Sequence, residues 1–162
     1  MNNSDLKIRK AAISEDFLIA KYFYQLWLDN NIEPNSIRTD WLETTVDFIV
    51  KARQELSFQA FVAVVDKKVV GSASCQLFAG LYPSPFTPDF RQYGYIWNIF
   101  VESNYRRQGI AKQLTITTIN YLRSLNCTHV ILHASPHGKP LYESLGFIPK
   151  NEMILELITK EQ

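Results

Sequence analysis

The stretch Asn98-Ile-Phe-Val-Glu-Ser-Asn-Tyr-Arg-Arg-Gln-Gly-Ile-Ala-Lys112 decides the reading of this chain. It continues a run from Tyr95 in which Ile96, Trp97, Ile99 and Phe100 are β-branched or aromatic. Such side chains suit a pleated, buried surface, so Tyr95 to Val101 is predicted as a central strand. A polar turn follows, and Arg106-x-x-Gly109-x-Ala111 opens a helix. Ile110, Leu114, Thr118, Tyr121, Leu122 and Leu125 recur at helical spacing on one face, with Asn126 as the stop. A strand, a turn and a helix of this kind present an anion site. Gly109 and Ala111 are small enough to let a diphosphate reach the backbone, and the N–H groups of the first turn lack intrahelical partners beside the positive end of the helix dipole. Arg106, Arg107 and Lys112 add positive charge. A dinucleotide fingerprint would need GxGxxG, and a P-loop GxxxxGK followed by Ser or Thr; neither spacing occurs here. Taken alone, the element also fits a structural role, with Gly109 serving close packing and the arginines solvated.

Working upstream, Phe58, Ala60, Val62 and Val64 alternate, Asp66 to Lys68 supply a turn, and Val69 to Leu77 returns, which predicts a hairpin. Before it, Leu6, Ile8 and Ala11 to Ile13 predict a short first strand. Ser14, Glu15 and Asp16 then start a helix ending near Asn30 that carries Phe17, Ala20, Phe23 and Trp27 on one face. A second helix after Asn35 and Ser36 shows Trp41, Phe48, Ile49, Ala52 and Leu56. Between Phe78 and Tyr93, three prolines and several aromatics predict a long ordered loop of the kind that often carries function. Downstream, Val130 to Leu132 reads as a strand, Lys139 to Leu145 as a helix stopped by Gly146, and Met153 to Ile158 as a last alternating strand. The expected class is α/β of the mixed α+β kind, with a mostly antiparallel twisted sheet and helices on both faces.

The 162 residues, 46% hydrophobic and 20% charged, suffice for one substantial core, and a single domain over 1–162 is expected. Seventeen Lys and Arg against sixteen Asp and Glu leave a formal charge of +1, which gives no global field for nucleic acid or an anionic membrane. Any anion site must therefore be local. Cys75 and Cys127 form no CxxC pair and read as buried thiols. With no secretory leader and no apolar run of membrane-spanning length, a soluble cytoplasmic protein is expected. His129, His133 and His137 recur every four residues. On a strand that spacing spans roughly 13 Å, too far for two imidazoles to share one zinc, so no metal is expected.

A second stretch changes the weight of the first. Leu141-Tyr142-Glu143-Ser144-Leu145-Gly146-Phe147 lies downstream of the Arg106-x-x-Gly109-x-Ala111 turn, and the pair resembles the acyl-CoA-binding core of the GNAT N-acetyltransferases. The resemblance implies an acetyl-CoA-dependent transfer of an acetyl group to a primary amine. It assigns Arg106, Arg107, Gln108, Gly109, Ile110, Ala111 and Lys112 to the CoA pyrophosphate. It assigns the strand end Ile99, Phe100 and Val101 to the pantetheine arm and thioester. Ser135 stands where many members of the family carry an asparagine that contacts CoA. Tyr142 becomes the general acid, and a phenol of ordinary pKa ~10 suits protonation of a departing thiolate of ordinary pKa ~8.5. A homodimer is a further expectation from the resemblance.

The base that deprotonates the amine is less defined. His133 is favoured because an imidazole titrates near neutrality; Glu102, just past the strand, and water are the alternatives, and Tyr95 occupies the place where some relatives carry a base. The acceptor is a small-molecule amine or a peptide N-terminus. Trp27, Tyr82, Phe86, Phe90 and Tyr93 are expected wall residues, and Asp89 and Glu33 expected attractors of a cationic amine. The competing reading is a catalytically silent acyl-CoA-binding module, against which retention of Tyr142 argues.

Overall fold

The computed structural model describes residues 6–157. In chain order they form β1 (Lys7–Lys10), α1 (Asp16–Asp29), α2 (Trp41–Glu55), β2 (Gln59–Val65), β3 (Lys68–Leu77), β4 (Tyr93–Val101), α3 (Ile110–Ser124), β5 (His129–Ile131) and α4 (Lys139–Ser144). The five strands lie side by side in sequence order; β1 to β4 run antiparallel, and β5 joins β4 in parallel. The expected mixed, mostly antiparallel sheet is what forms.

Local chemistry explains the joints. Asp66 and Lys67 both take positive φ, 48° and 66°, the two-residue turn whose twist matches a hairpin, and Val65 pairs with Lys68 across it. At the start of α1, Glu15 accepts the Ala12 N–H at 2.7 Å and the Arg9 guanidinium at 2.8 Å through each oxygen. This closes a 3-10 turn over Ile13–Glu15 and ends β1 earlier than the apolar pattern predicts, although the Ala11 N–H still reaches Ala60 O.

The period-2 alternation of β2 divides the core into two layers. Phe61 and Ala63 face α3 and pack with Leu114 and Leu122, whereas Ala60 and Val62 face α1 and α2 and pack with Ile19, Ile49 and Ala52. Leu114 and Leu122 are fully buried, and each contributes roughly 1.5–3 kcal/mol of apolar burial. Gly94 is the residue that lets α3 lie this close: a Cβ there would stand 2.7 Å from Leu122 Cδ1. On the other layer, Arg53 of α2 grips Asp16 of α1 through two bonds of 2.7 and 2.8 Å. With Asp16 buried, this pair fixes the two helices against each other.

One irregularity shapes everything that follows. Ser72 faces Phe100 but Ser74 faces Trp97, so Asn98 and Ile99 together stand opposite Ala73 in a β-bulge. Asn98 takes φ 55°, tolerable for asparagine, and its Nδ2 donates to Ile19 O of α1 at 3.0 Å. β5 pairs with β4 only at Tyr93, Gly94 and Tyr95. Beyond Tyr95, the edge of β4 turned away from β3 has no strand partner among the described residues.

The last expected strand does not form: residues 153–157 are extended coil, and Ile158 lies outside the described residues. Alternation supplied the signal, but these side chains find no sheet face to cover, and Met153 is 94% exposed. The short strand after α3 lies one residue earlier than its apolar run, at His129–Ile131, because its partner is the first third of β4.

Candidate active site

The gap between the bulged end of β4 and β5 continues into a cavity of about 870 Å³ that also opens under α1 and α2. Ile99, Ser135 and Tyr142 line one part of it; Phe23, Trp27, Phe48 and Trp97 line another, and Tyr95 and His133 line it as well. The Tyr142 ring lies edge-on to Phe147 at 5.9 Å and close over Gly138. Burial pushes its phenol above the ordinary tyrosine range, so it stays protonated at neutral pH. Its hydroxyl meets no protein acceptor among the described residues, and the residue lines the cavity. Ser135 Oγ accepts the Gly138 N–H at 3.2 Å, which holds the turn that leads into α4.

His133 has both ring nitrogens engaged. Nδ1 lies 3.0 Å from Tyr95 Oη, and Nε2 lies 3.2 Å from the Glu152 carboxylate. A carboxylate only accepts, so Nε2 carries the proton and Nδ1 accepts the Tyr95 O–H. Burial, with the Glu152 charge behind it, raises the Tyr95 phenol and keeps that proton in place. Glu152 is the partner that sequence reasoning missed; an isolated carboxylate nineteen residues from the histidine carries no sequence signal. Glu102, the other carboxylate considered as a base, is occupied elsewhere: it accepts Lys68 Nζ at 2.6 Å and Tyr22 Oη at 3.0 Å, away from the cavity.

At the start of α3, Gly109 occupies the N-cap with φ 81°, Arg107 has φ 63°, and a Cβ on Gly109 would meet nothing within 4 Å. Among the described residues, none of the backbone N–H groups of Arg107 to Lys112 donates within the protein. Arg106 is engaged within the protein. Its Nε donates to Val101 O at 2.8 Å, its Nη2 to Asp29 at 2.5 Å, and its guanidinium lies 5.6 Å over the Phe100 ring, so it clamps β4 to α1. Phe100 and Val101 are buried and pair with Ser72 and Gly71 of β3, and the Val101 carbonyl accepts Arg106.

The wall residues were only partly legible. Trp27 lines the cavity, but Tyr82, Phe86 and Tyr93 line a separate depression of about 380 Å³ beneath the loop that joins β3 and β4. That loop folds toward Leu56 and Leu77, and neither Phe90, Asp89 nor Glu33 lines the larger cavity. Phe48, on the apolar face expected of the second helix, and Trp97, in the expected central strand, take the place of the loop aromatics. Among the described residues, no group of three or more His, Cys, Asp or Glu is arranged to hold a metal, and no helix is long and apolar enough to cross a membrane.

The site thus combines a bulged β4 that parts from its parallel neighbour β5 with a helix that opens on free amides. Residues 20–147 match the acetyltransferase (GNAT) family, and the chain belongs to it. A predicted acetyltransferase of Clostridium acetobutylicum, crystallised with acetyl-CoA, superposes with a TM-score of 0.79 at 27% identity over 94% of this chain and 96% of that one. Glucosamine 6-phosphate N-acetyltransferase of Trypanosoma brucei brucei is 36% identical over 80 residues, 49% of this chain and 51% of its own length. An N-alpha-acetyltransferase of Saccharolobus solfataricus is 30% identical over 104 residues, 62% of each chain. The chain thus spans about half to three-fifths of the length of these curated relatives.

Proposed function

We propose that the protein transfers an acetyl group from acetyl-CoA to a primary amine by direct attack. One observation carries this reading: the unpartnered edge of β4, the protonated Tyr142 phenol and the Tyr95–His133 pair all border one cavity. The residues at the start of α3 suit CoA, since a run of free N–H groups beside an open Gly109 is a donor set for a diphosphate. Arg107, Gln108, Gly109, Ile110, Ala111 and Lys112 hold it there through their backbone and the charges of Arg107 and Lys112. Arg106 acts indirectly by fixing Val101. Ile99 to Val101 offer backbone groups to the pantetheine arm, and Ser135 a hydroxyl.

Acetyl-CoA supplies an activated carbonyl and a thiolate leaving group. The protein's own residues do the rest. The bulge frees backbone N–H groups of β4 to face the oxygen on which negative charge develops. Tyr142 gives its proton to the departing sulfur. The proton lost by the amine passes to His133 Nδ1, directly or through the Tyr95 hydroxyl, and Glu152 keeps the opposite nitrogen protonated so that Nδ1 remains the acceptor. Calorimetric titration with acetyl-CoA, followed by thiol release with a panel of amines, tests the reading. Saturable binding and amine-dependent thiol release are expected, and a folded protein that binds no acetyl-CoA overturns it. Binding with no release for any amine would instead favour the silent acyl-CoA-binding module.

A further inference from the structure

We propose that the acceptor is a primary amine carried on a bulky apolar body, above all an aromatic one, with neither a phosphate nor a second cationic centre. The proposal rests on the acetyltransferase reading above and names the substrate class of the same cavity. Charge is the first argument. No Lys, Arg, Asp or Glu lines the cavity among the described residues. A phosphate entering it would lose its water without gaining a charged donor, and a polycation would find no carboxylate. Among the described residues Glu43 and Asp47 of α2 carry no ion pair but do not line the cavity, and the other nearby carboxylates are taken. Asp16 is held by Arg53, Asp29 by Arg106 and Gln25, and Glu152 faces His133.

Aromatic packing is the second. Phe23 lies edge-on to Trp27 at 5.8 Å and to Trp97 at 5.1 Å, and Phe48 lies edge-on to Trp97 at 5.6 Å. The four rings form one connected apolar wall. Trp27 and Phe48 nevertheless remain 43% and 47% exposed, so the wall keeps ring surface for a guest. Two neutral polar residues of this wall each give a side-chain donor to a helix carbonyl: Thr45 Oγ1 to Trp41 O and Asn30 Nδ2 to Leu26 O. The reactive polar groups, Tyr95, His133 and Tyr142, sit on β4, at the end of β5 and on α4. An amine with an apolar body is the ligand that satisfies both sets.

Such an amine could be free or could begin a peptide with an apolar first residue, and the test separates the two. Thiol release by the full chain is measured with acetyl-CoA and 2-phenylethylamine, a Phe-Ser peptide amide, glucosamine 6-phosphate or spermidine. The better of the first two is expected to exceed both charged amines in kcat/KM by at least about tenfold, and whichever of them wins identifies the source. Trp27→Ala should raise the KM of that amine about tenfold and leave the KM of acetyl-CoA unchanged. Equal or better turnover of glucosamine 6-phosphate or spermidine overturns the apolar assignment while the acetyltransferase reading stands. If no amine is turned over, quenching of tryptophan fluorescence by 2-phenylethylamine, with CoA present, decides. Saturable quenching lost in Trp27→Ala retains the assignment, and absence of saturable quenching overturns it. Failure to bind acetyl-CoA in calorimetry is the separate signature of a failed acetyltransferase reading.

Discussion

The hydroxyl of Tyr95 lies 3.0 Å from Nδ1 of His133, joining a β4 side chain to one just beyond β5 where the two strands have begun to part. The separation of the strands and the reactive pair therefore have one origin. Tyr95 is the last β4 residue paired to β5, and the bulge at Asn98 carries the rest of β4 away.

If this pair takes the amine proton, His133→Ala should lower kcat roughly a hundredfold or more and flatten the acid limb of the pH–rate profile. Tyr95→Phe should lower kcat less, because Nδ1 remains able to accept. Glu152→Gln should lower kcat without changing the KM of acetyl-CoA, because the Nε2 proton loses its charged acceptor. Rate measurements across pH distinguish these outcomes, and a His133→Ala profile identical to wild type would remove the imidazole from proton transfer.

Tyr142→Phe should lower turnover about a hundredfold while acetyl-CoA affinity changes little, since the hydroxyl is needed only by the leaving sulfur. The pH dependence has a definite sign. Burial raises this phenol, so the protonated acid persists above the ordinary tyrosine range, and activity should not decline with ionisation of this group near neutrality. Single-turnover rates and calorimetry on the same variant provide the check. Full turnover would exclude Tyr142 as the acid.

Much of this was legible in the sequence because it depends on local pattern. Alternation along Phe58 to Val64, the helical face from Ile110 to Leu125 and the small residue at Gly109 each follow from chemistry within a few residues. The site's completion depended on distant pairings that leave no local trace. Glu152 pairs with His133, and Arg106 with Asp29 of α1, partners far apart in the chain. The loop aromatics misled for a related reason. Their composition indicated an ordered loop, but which side of the sheet it covers is set by its contact with Leu56 and Leu77.

Arg53 and Asp16 hold α1 to α2, the two helices that build the aromatic wall. Arg53→Leu would leave a 4% exposed carboxylate without its partner, a loss of about 3–5 kcal/mol for a buried pair. Urea denaturation should show that loss, and the double variant Arg53→Leu with Asp16→Leu should recover most of it. A single variant as stable as wild type would mean that water reaches Asp16 as readily as Arg53 does.

A second pair gives stability a pH dependence. Hydrogen bonding to Arg9, aided by the Ala12 N–H, holds the Glu15 carboxyl below its ordinary value against the opposing effect of burial. A carboxyl depressed in the folded state contributes stability above its unfolded pKa, and loses it as pH falls through the folded one. Glu15→Gln should therefore cost about 1 kcal/mol at pH 7, discounted for partial exposure, with the gap to wild type closing below about pH 4. Thermal melts of both proteins from pH 7 to pH 3 measure it, and a gap that stays constant would assign the cost to lost packing instead.

Gly109 allows packing and ligand binding to be separated. A Cβ at this position meets nothing within 4 Å, so the cost of Gly109→Ala is the backbone strain of φ 81°, about 1–2 kcal/mol, with CoA affinity largely kept. Gly109→Glu carries the same strain and adds a negative charge beside the free N–H groups of α3, where a diphosphate would bind. Calorimetry with CoA should therefore separate two variants of similar melting temperature, with affinity falling at least about tenfold further in the glutamate form. If both bind CoA equally, the start of α3 is not the diphosphate site, and its open amides have to be accounted for by another anion.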